Sequence, residues 1–365
     1  MTPLLKEIYK TPLLWLLVLV PAVLAAEAYK PGAHTLLFFL SVLAIVPLAA
    51  LLSRATEAIA SRTGDMIGGL LNATLGNLTE LLIALAALRA GQYVLVKASI
   101  AGAIVTNALF MLGASFLLGG LKHRVQEYNR NSARLQAGLL FLATIAILIP
   151  SVVADTEASA AQASFAQALS ASLAALLIIT YGLGLLFSLY THREFFVGAD
   201  HESYDAEWPV ALALGTLAGV TVLVALVSEI FVESVQHAAS ELGLSPAFVG
   251  FIIVALVGGA AEMVAAFSAA RKNRLDLSVG IALGSASQIA LFVAPVLVLL
   301  SYVLGPTPMN LQFWPGAVAM ILIASMTASL VTNTGRSAWF VGVLVLVVYL
   351  VFALTLYLLP PRVTS

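Results

Sequence analysis

The chain is 365 residues long, 61% hydrophobic and only 10% charged, with a formal net charge of −1 and no cysteine. So little charge is incompatible with a water-soluble protein of this length and makes it a polytopic membrane protein. The near-zero charge excludes a basic nucleic-acid footprint, the lack of cysteine removes disulfides and thiolate metal sites, and no Walker-type loop is present to couple ATP hydrolysis.

A bilayer is crossed by about 20 helical residues. Eleven apolar runs meet that length in chain order: 12–28, 35–60, 66–90, 93–120, 132–153, 165–190, 208–236, 246–270, 276–303, 312–332 and 337–359. The first lacks a small-residue cleavage pattern and is followed by ten more, so it is read as a span and not as a signal peptide. With the N-terminus inside, thirteen Lys and Arg residues fall on the inner side and four, Lys30, Arg89, Lys97 and Arg362, on or near the outer side. That asymmetry sets the orientation and implies the inner membrane if the source is prokaryotic.

The third and eighth runs carry one carboxylate each in matching contexts. L-G-N-L-T-E-L-L-I-A-L-A-A-L-R (75–89) aligns with V-G-G-A-A-E-M-V-A-A-F-S-A-A-R (257–271) at a constant shift of 182, which puts Gly76 on Gly258, Glu80 on Glu262 and Arg89 on Arg271. Arg89 and Arg271 fall on opposite sides of the membrane, so the copies are inverted. The expected fold is all-α: a leading helix (1–31), a first five-helix repeat (32–192), an acidic cytoplasmic linker (193–207) and a second five-helix repeat (208–360). Inverted repeats place substrate at mid-membrane, on helices interrupted by glycine.

A charged group at membrane depth costs about 3 kcal/mol even on gentle scales, so a matched pair points to cation binding. Ala73, Gly76, Asn77, Glu80, Ala84 and Ala87 form one small-residue stripe, and Ala255, Gly258, Gly259, Glu262, Ala266 and Ala269 form the other. Such stripes also serve simple helix packing. Two glutamates balance a divalent cation, and hard oxygen ligands favour Ca²⁺ or Mg²⁺. Carbonyls at Gly76 and Gly258 complete the shell if the helices unwind there. Asn77 and, on the following helices, Ser99, Thr106, Asn107, Ser285, Ser287 and Gln288 are further candidates, with helix-to-helix hydrogen bonding as their other reading.

The G-N-x-x-E segment at Gly76 to Glu80, and G-G-A-A-E-M at 258–263 with the following K-N-R-L-D-L-S-V-G-I-A-L-G-S-A-S-Q, resemble the cation/proton antiporters that export Ca²⁺, the CAX branch of the calcium/cation antiporter superfamily. The likeness covers residues 35–357. It implies an eleven-helix H⁺/Ca²⁺ exchanger in which each repeat supplies one essential glutamate, Glu80 and Glu262. The family's second motif often reads G-N-A-A-E-H; Gly259 and Met263 replace that amide and imidazole.

Exchange follows from charge. Two unneutralised carboxylates in low dielectric raise each other's proton affinity, so protons and Ca²⁺ compete for the same oxygens. Glu57 and Glu229, in the helices preceding the motifs, are candidate proton relays or else interfacial and packing residues. Glu194, Asp200, Glu202, Asp205 and Glu207 give the linker its acidity, as a Ca²⁺-attracting segment or a solvated connection. The partners are Ca²⁺, H⁺ and the bilayer; no resident cofactor is expected, and a homo-oligomer stays open. A Na⁺/Ca²⁺ exchanger and a cation channel are the alternatives, and no nucleophile and base cluster to make an enzyme.

Overall fold

The computed structural model describes residues 3–63, 65–153, 160–192 and 208–359. The acidic linker at 193–207, and Asp155, Glu157 and Arg362, lie outside the described residues. α1 (Pro3–Lys10) is short and amphipathic, with Leu4 and Ile8 packed on the core and Lys6 and Lys10 exposed. α2 (Pro12–Tyr29) is the leading span and begins as a 3₁₀ segment.

The first unit consists of α3 (His34–Ala60), the pair α4 (Asp65–Leu75) and α5 (Leu78–Arg89), α6 (Tyr93–His123), α7 (Arg130–Val153) and α8 (Ala160–Leu186). The second repeats the order: α9 (Val210–Glu241), the pair α10 (Pro246–Gly258) and α11 (Ala260–Arg271), α12 (Leu275–Leu304), α13 (Pro315–Thr332) and α14 (Trp339–Leu358). Among the described residues ten helices are long and apolar enough to cross a bilayer, and the bent pair α10–α11 makes eleven. Membrane-length helices form because hydrocarbon offers no partner to an unpaired peptide group.

The two motif spans are broken where glycine interrupts the apolar run. Gly76 and Asn77 form a turn between α4 and α5, and the second span bends by 59° at Gly259. Each small-residue stripe is therefore divided, as interruption by glycine implied, and the second break is a sharp elbow that falls at Gly259 and not at Gly258. α6 is the most enclosed span. Its backbone touches α10 at Gly102, where an added Cβ would lie 2.1 Å from the Phe251 carbonyl oxygen, an approach only glycine permits. α3 runs alongside α9, joined by the stacked rings of Phe38 and Phe231 at 5.6 Å.

The expectation of an all-helical chain omits one feature. β1 (Val125–Glu127) and β2 (Arg336–Ala338) pair antiparallel with Gln126 opposite Ser337, linking the α6–α7 connection to the α13–α14 connection. Three-residue strands carry no readable alternation; they form because adjacent connections satisfy each other's backbone groups. Gln126 Nε2 donates to the Ala270 carbonyl at 2.9 Å and to Asn273 Oδ1 at 3.0 Å, which fixes the end of α11 to this ribbon. At the opposite end, residues 305–314 are pinned by serine oxygens: Met309 N donates to Ser301 at 2.7 Å, Leu311 N to Ser170 at 3.0 Å and Phe313 N to Ser151 at 3.0 Å. Lys97 Nζ donates to Asn310 Oδ1 there at 2.6 Å.

Candidate functional site

Glu80 and Glu262 occupy the same local position, the third residue of a helix that starts just after a break. The broken ends put unpaired peptide N–H groups and the positive pole of a helix next to each carboxylate, a natural setting for negative charge away from water. Glu80 accepts a hydrogen bond from its own backbone N–H. An unbroken helix would have offered neither carboxylate such donors.

The two halves meet at these carboxylates. A Cβ at Gly258 would lie 2.9 Å from Glu80 Cγ and 3.5 Å from Glu80 Oε1, so the first-repeat carboxylate rests on the backbone of the second-repeat break. Glu80 is near enough to Glu262 to act on it electrostatically. Oε2 of Glu262 is enclosed and has no hydrogen-bond partner. Beside Glu80 is a cavity of about 10 Å³, lined also by Ser99, Ala103, Ala255 and Ile289, room for about one water.

Around the pair runs a chain of neutral polar groups drawn from both repeats. Asn77 Nδ2 donates to Gln288 Oε1 at 2.6 Å, Ser285 Oγ donates to Asn77 Oδ1 at 2.7 Å, and Asn107 Nδ2 donates to Ser285 Oγ at 2.8 Å. The Ser285 hydroxyl is also within hydrogen-bond reach of the Glu262 carboxyl. Asn77 occupies the N-cap position of α5 without capping it, because its amide is committed across the repeat interface. Its counterpart by the shift of 182 is Gly259. There the amide oxygen of Asn107 fills the neighbourhood, 3.5 Å from where a Cβ would be, buried and without a partner. Both amides sit at irregular turns: Asn107 lies in a π turn, Thr106–Met111, and Gln288 directly before another, Ile289–Val293. π turns free backbone groups from the regular ladder and recur at functional sites.

The sequence candidates thus divide. Glu80, Glu262, Gly258, Asn77, Asn107, Ser285 and Gln288 come together, with Gly76 in the α4–α5 turn, where an added Cβ would be 3.6 Å from Gln288 Oε1. Ser99 lines the cavity but donates to the Val96 carbonyl of its own helix at 2.8 Å; Thr106 donates to Tyr349 Oη at 3.3 Å and Ser287 to the Gln136 carbonyl at 3.0 Å, so these two tie helices together. Glu57 sits in the last turn of α3 with Ser53 and Arg54, whose guanidinium also meets Glu7 at 3.4 Å. Glu229 pairs with Arg89 at 3.2 Å, nine residues from Glu80 along α5, roughly 13 Å at 1.5 Å per residue. Neither reaches the central pair.

One supporting residue was not foreseen. Tyr181 of α8 donates its hydroxyl to the Ala73 carbonyl at 2.7 Å, in the last turn of α4, and its ring lies tilted against Phe292 at 5.4 Å. A mid-span tyrosine needs a partner for its hydroxyl, and that was the available signal. Among the described residues no three His, Cys, Asp or Glu converge as a metal cluster; the polar side chains gathered here are two carboxylates with amide and hydroxyl groups.

Comparison with known proteins matches residues 33–190 and 212–358 to the family model described as "Sodium/calcium exchanger protein". The chain is 41% identical over 339 residues to the Ca(2+)/H(+) antiporter of Aphanothece halophytica, covering 89% of this chain and 90% of that one. It is 39% identical over 344 residues to the Ca(2+)/H(+) antiporter ChaA of Bacillus subtilis (strain 168), covering 93% and 96%. The solved structure of native YfkE superposes with a TM-score of 0.81 at 35% identity, covering 94% of this chain and 99% of that one.

Proposed function

Since this chain belongs to the sodium/calcium exchanger protein family, we propose that it exchanges Ca²⁺ for H⁺ across the membrane by alternating access, with Glu80 and Glu262 holding either the metal or protons. The observation that carries the reading is the contact of Glu80, from one repeat, with the Gly258 backbone of the other, beside Glu262. The function of the relatives at 41% and 39% identity supports it.

The chemistry is competition for shared oxygens. Ca²⁺ is a hard cation taking six to eight oxygens with loose geometry. Glu80, Glu262 and the Asn107 amide oxygen supply the first of these, with Asn77, Ser285, Gln288 and the carbonyls of Gly76 and Gly258 within the same group of residues. When protons replace the metal, Ser285 completes the exchange of partners: its oxygen has two lone pairs and one hydrogen. It accepts from Asn107 and from a protonated Glu262 while donating to Asn77, so the hydroxyl itself uses all of its hydrogen-bonding capacity. An empty pair carries two uncompensated charges in a medium that solvates neither, so the unloaded carrier turns over slowly. That asymmetry separates exchange from leak.

Both ends of the α6–α7–α11–α12–α13 assembly are pinned by the ribbon and by the serine-bound loop, so access changes by movement of α3 and α9 against it. Glu57, ion-paired near the end of α3, and Glu229, ion-paired within α9 to Arg89 at the end of α5, serve packing in this scheme. The basic end of the bundle faces the cytoplasm with the N-terminus.

The test is uptake of radiolabelled Ca²⁺ into proteoliposomes under an imposed pH gradient and, separately, an imposed Na⁺ gradient. Uptake driven by the pH gradient, with proton movement reported by an entrapped dye, is expected. Uptake driven only by Na⁺ would remove the proton reading.

A further inference from the structure

The leading helix does not close tightly on the repeats. Between α2, α3 and α9 there is an open cavity of about 360 Å³ lined by Leu17, Val20, Leu24, Leu51 and Leu223 among other apolar side chains. An apolar cavity of about 150 Å³ already stays dry and takes an apolar guest. This one is more than twice that size, and α2, α3 and α9 are bilayer-spanning helices, so the guest that reaches it is hydrocarbon.

One end of the groove has a distinct chemistry. Arg54 lies three residues beyond Leu51 on α3, about 4.5 Å along the axis. α1 folds back to that point, where Glu7 meets Arg54 at 3.4 Å, and Lys10 ends α1 just before the 3₁₀ segment that carries Leu17 into the groove. Among the described residues of α1 and the end of α3, Lys6, Lys10 and Arg62 are exposed, and with Arg54, itself ion-paired to Glu7 and Glu57, they outnumber those two carboxylates. A basic rim at the membrane surface, contiguous with an apolar slot, is complementary to a lipid that is anionic at its head.

We infer that the groove between the leading helix and the α3–α9 pair binds one anionic phospholipid, an acyl chain lying along Leu17, Leu24, Leu51 and Leu223 and the phosphate held at the Lys10–Arg54 rim. The site is separate from the carboxylate pair and does not depend on which ion is transported. Its occupant fills the space between α2 and the two helices, so it joins the leading helix to the repeats by shared contact with the lipid in addition to the protein contacts present.

Native mass spectrometry of the detergent-solubilised full chain, equilibrated with equal amounts of phosphatidylglycerol and phosphatidylcholine, reads this directly. The expected result is about one tightly retained phosphatidylglycerol per chain, in excess over phosphatidylcholine. Leu223→Trp fills the slot and is expected to lower retention at least about fivefold, whereas Val222→Trp, on the neighbouring lipid-facing position that is 58% exposed, leaves it unchanged. Lys6→Gln with Lys10→Gln, at exposed positions that do not test folding, is expected to keep a lipid bound but to cut the anionic preference by about fivefold for each lysine. Equal retention by Leu223→Trp and Val222→Trp, no headgroup preference in the unaltered chain, or a second protein copy in place of lipid overturns the inference.

Discussion

Glu80 and Gly258 belong to opposite repeats and are in contact: a Cβ at 258 would lie 2.9 Å from Glu80 Cγ. Glycine at that point is thus a condition for the first glutamate to reach the second repeat at all.

Gly258→Ala tests that contact. Overpacking of this kind costs about 1–3 kcal/mol, equivalent to about five- to 150-fold in affinity if it falls wholly on the loaded site. The expected outcome is a chain that still elutes as a single species from gel filtration while its apparent Ca²⁺ affinity in proteoliposomes drops within that range. Unchanged affinity would separate Glu80 from the cation.

Glu80→Gln and Glu262→Gln keep side-chain shape and remove charge. Each is expected to abolish exchange while the protein remains extractable and folded. Near-normal uptake by either variant would remove that residue from the site.

Lowering the pH on the Ca²⁺-loading side adds protons to the carboxylates that Ca²⁺ requires unprotonated. Apparent Ca²⁺ affinity there should fall as pH falls, by up to about tenfold per unit for each proton displaced. Initial rates measured across a pH series at several Ca²⁺ concentrations give the slope, and a flat profile would contradict shared oxygens.

Ion choice follows from the donors. With carboxylates, amides, a hydroxyl and carbonyls, and with Gly259 and Met263 supplying neither oxygen nor nitrogen side-chain ligands, the site suits Ca²⁺ at about 2.3–2.6 Å over Mg²⁺, which demands a tight octahedron at about 2.0–2.1 Å. Competition assays should show weak inhibition by Mg²⁺, some tolerance of Mn²⁺ and no preference for Zn²⁺. Displacement of Ca²⁺ by equimolar Zn²⁺ or Mg²⁺ would reveal other ligands.

Tyr181→Phe keeps the ring against Phe292 and deletes the bond to the Ala73 carbonyl. A stability loss of about 0.5–1.5 kcal/mol is expected, read as a lower melting temperature in detergent, together with slower exchange because the α4–α5 turn loses its support. Wild-type values of both would leave the tyrosine a packing residue only.

The sequence by itself determined the solvent and the membrane-length helices, and it singled out the two matched motifs and the glutamate in each. All of these follow from local chemistry: helix-length apolar runs answer to bilayer thickness, and a carboxylate is conspicuous in such a run because its burial is costly. Unwinding at Gly76 was legible for the same reason, since glycine weakens the helix it interrupts, whereas the second break falls at Gly259, one residue past the Gly258 that the sequence suggested. Tertiary structure alone decided which polar groups meet. Asn77 and Gln288, 211 residues apart, share a hydrogen bond, while Ser287, only one position from Gln288, turns away to Gln136. Glu57 and Glu229 have the same residue type as the central pair, yet end in ion pairs with Arg54 and Arg89. The β1–β2 ribbon and the Tyr181 contact to Ala73 likewise depend on elements distant in the chain. Hydropathy and periodicity act along a single helix, whereas these pairings are set by how broken helices cross and which rotamers the crossing leaves room for.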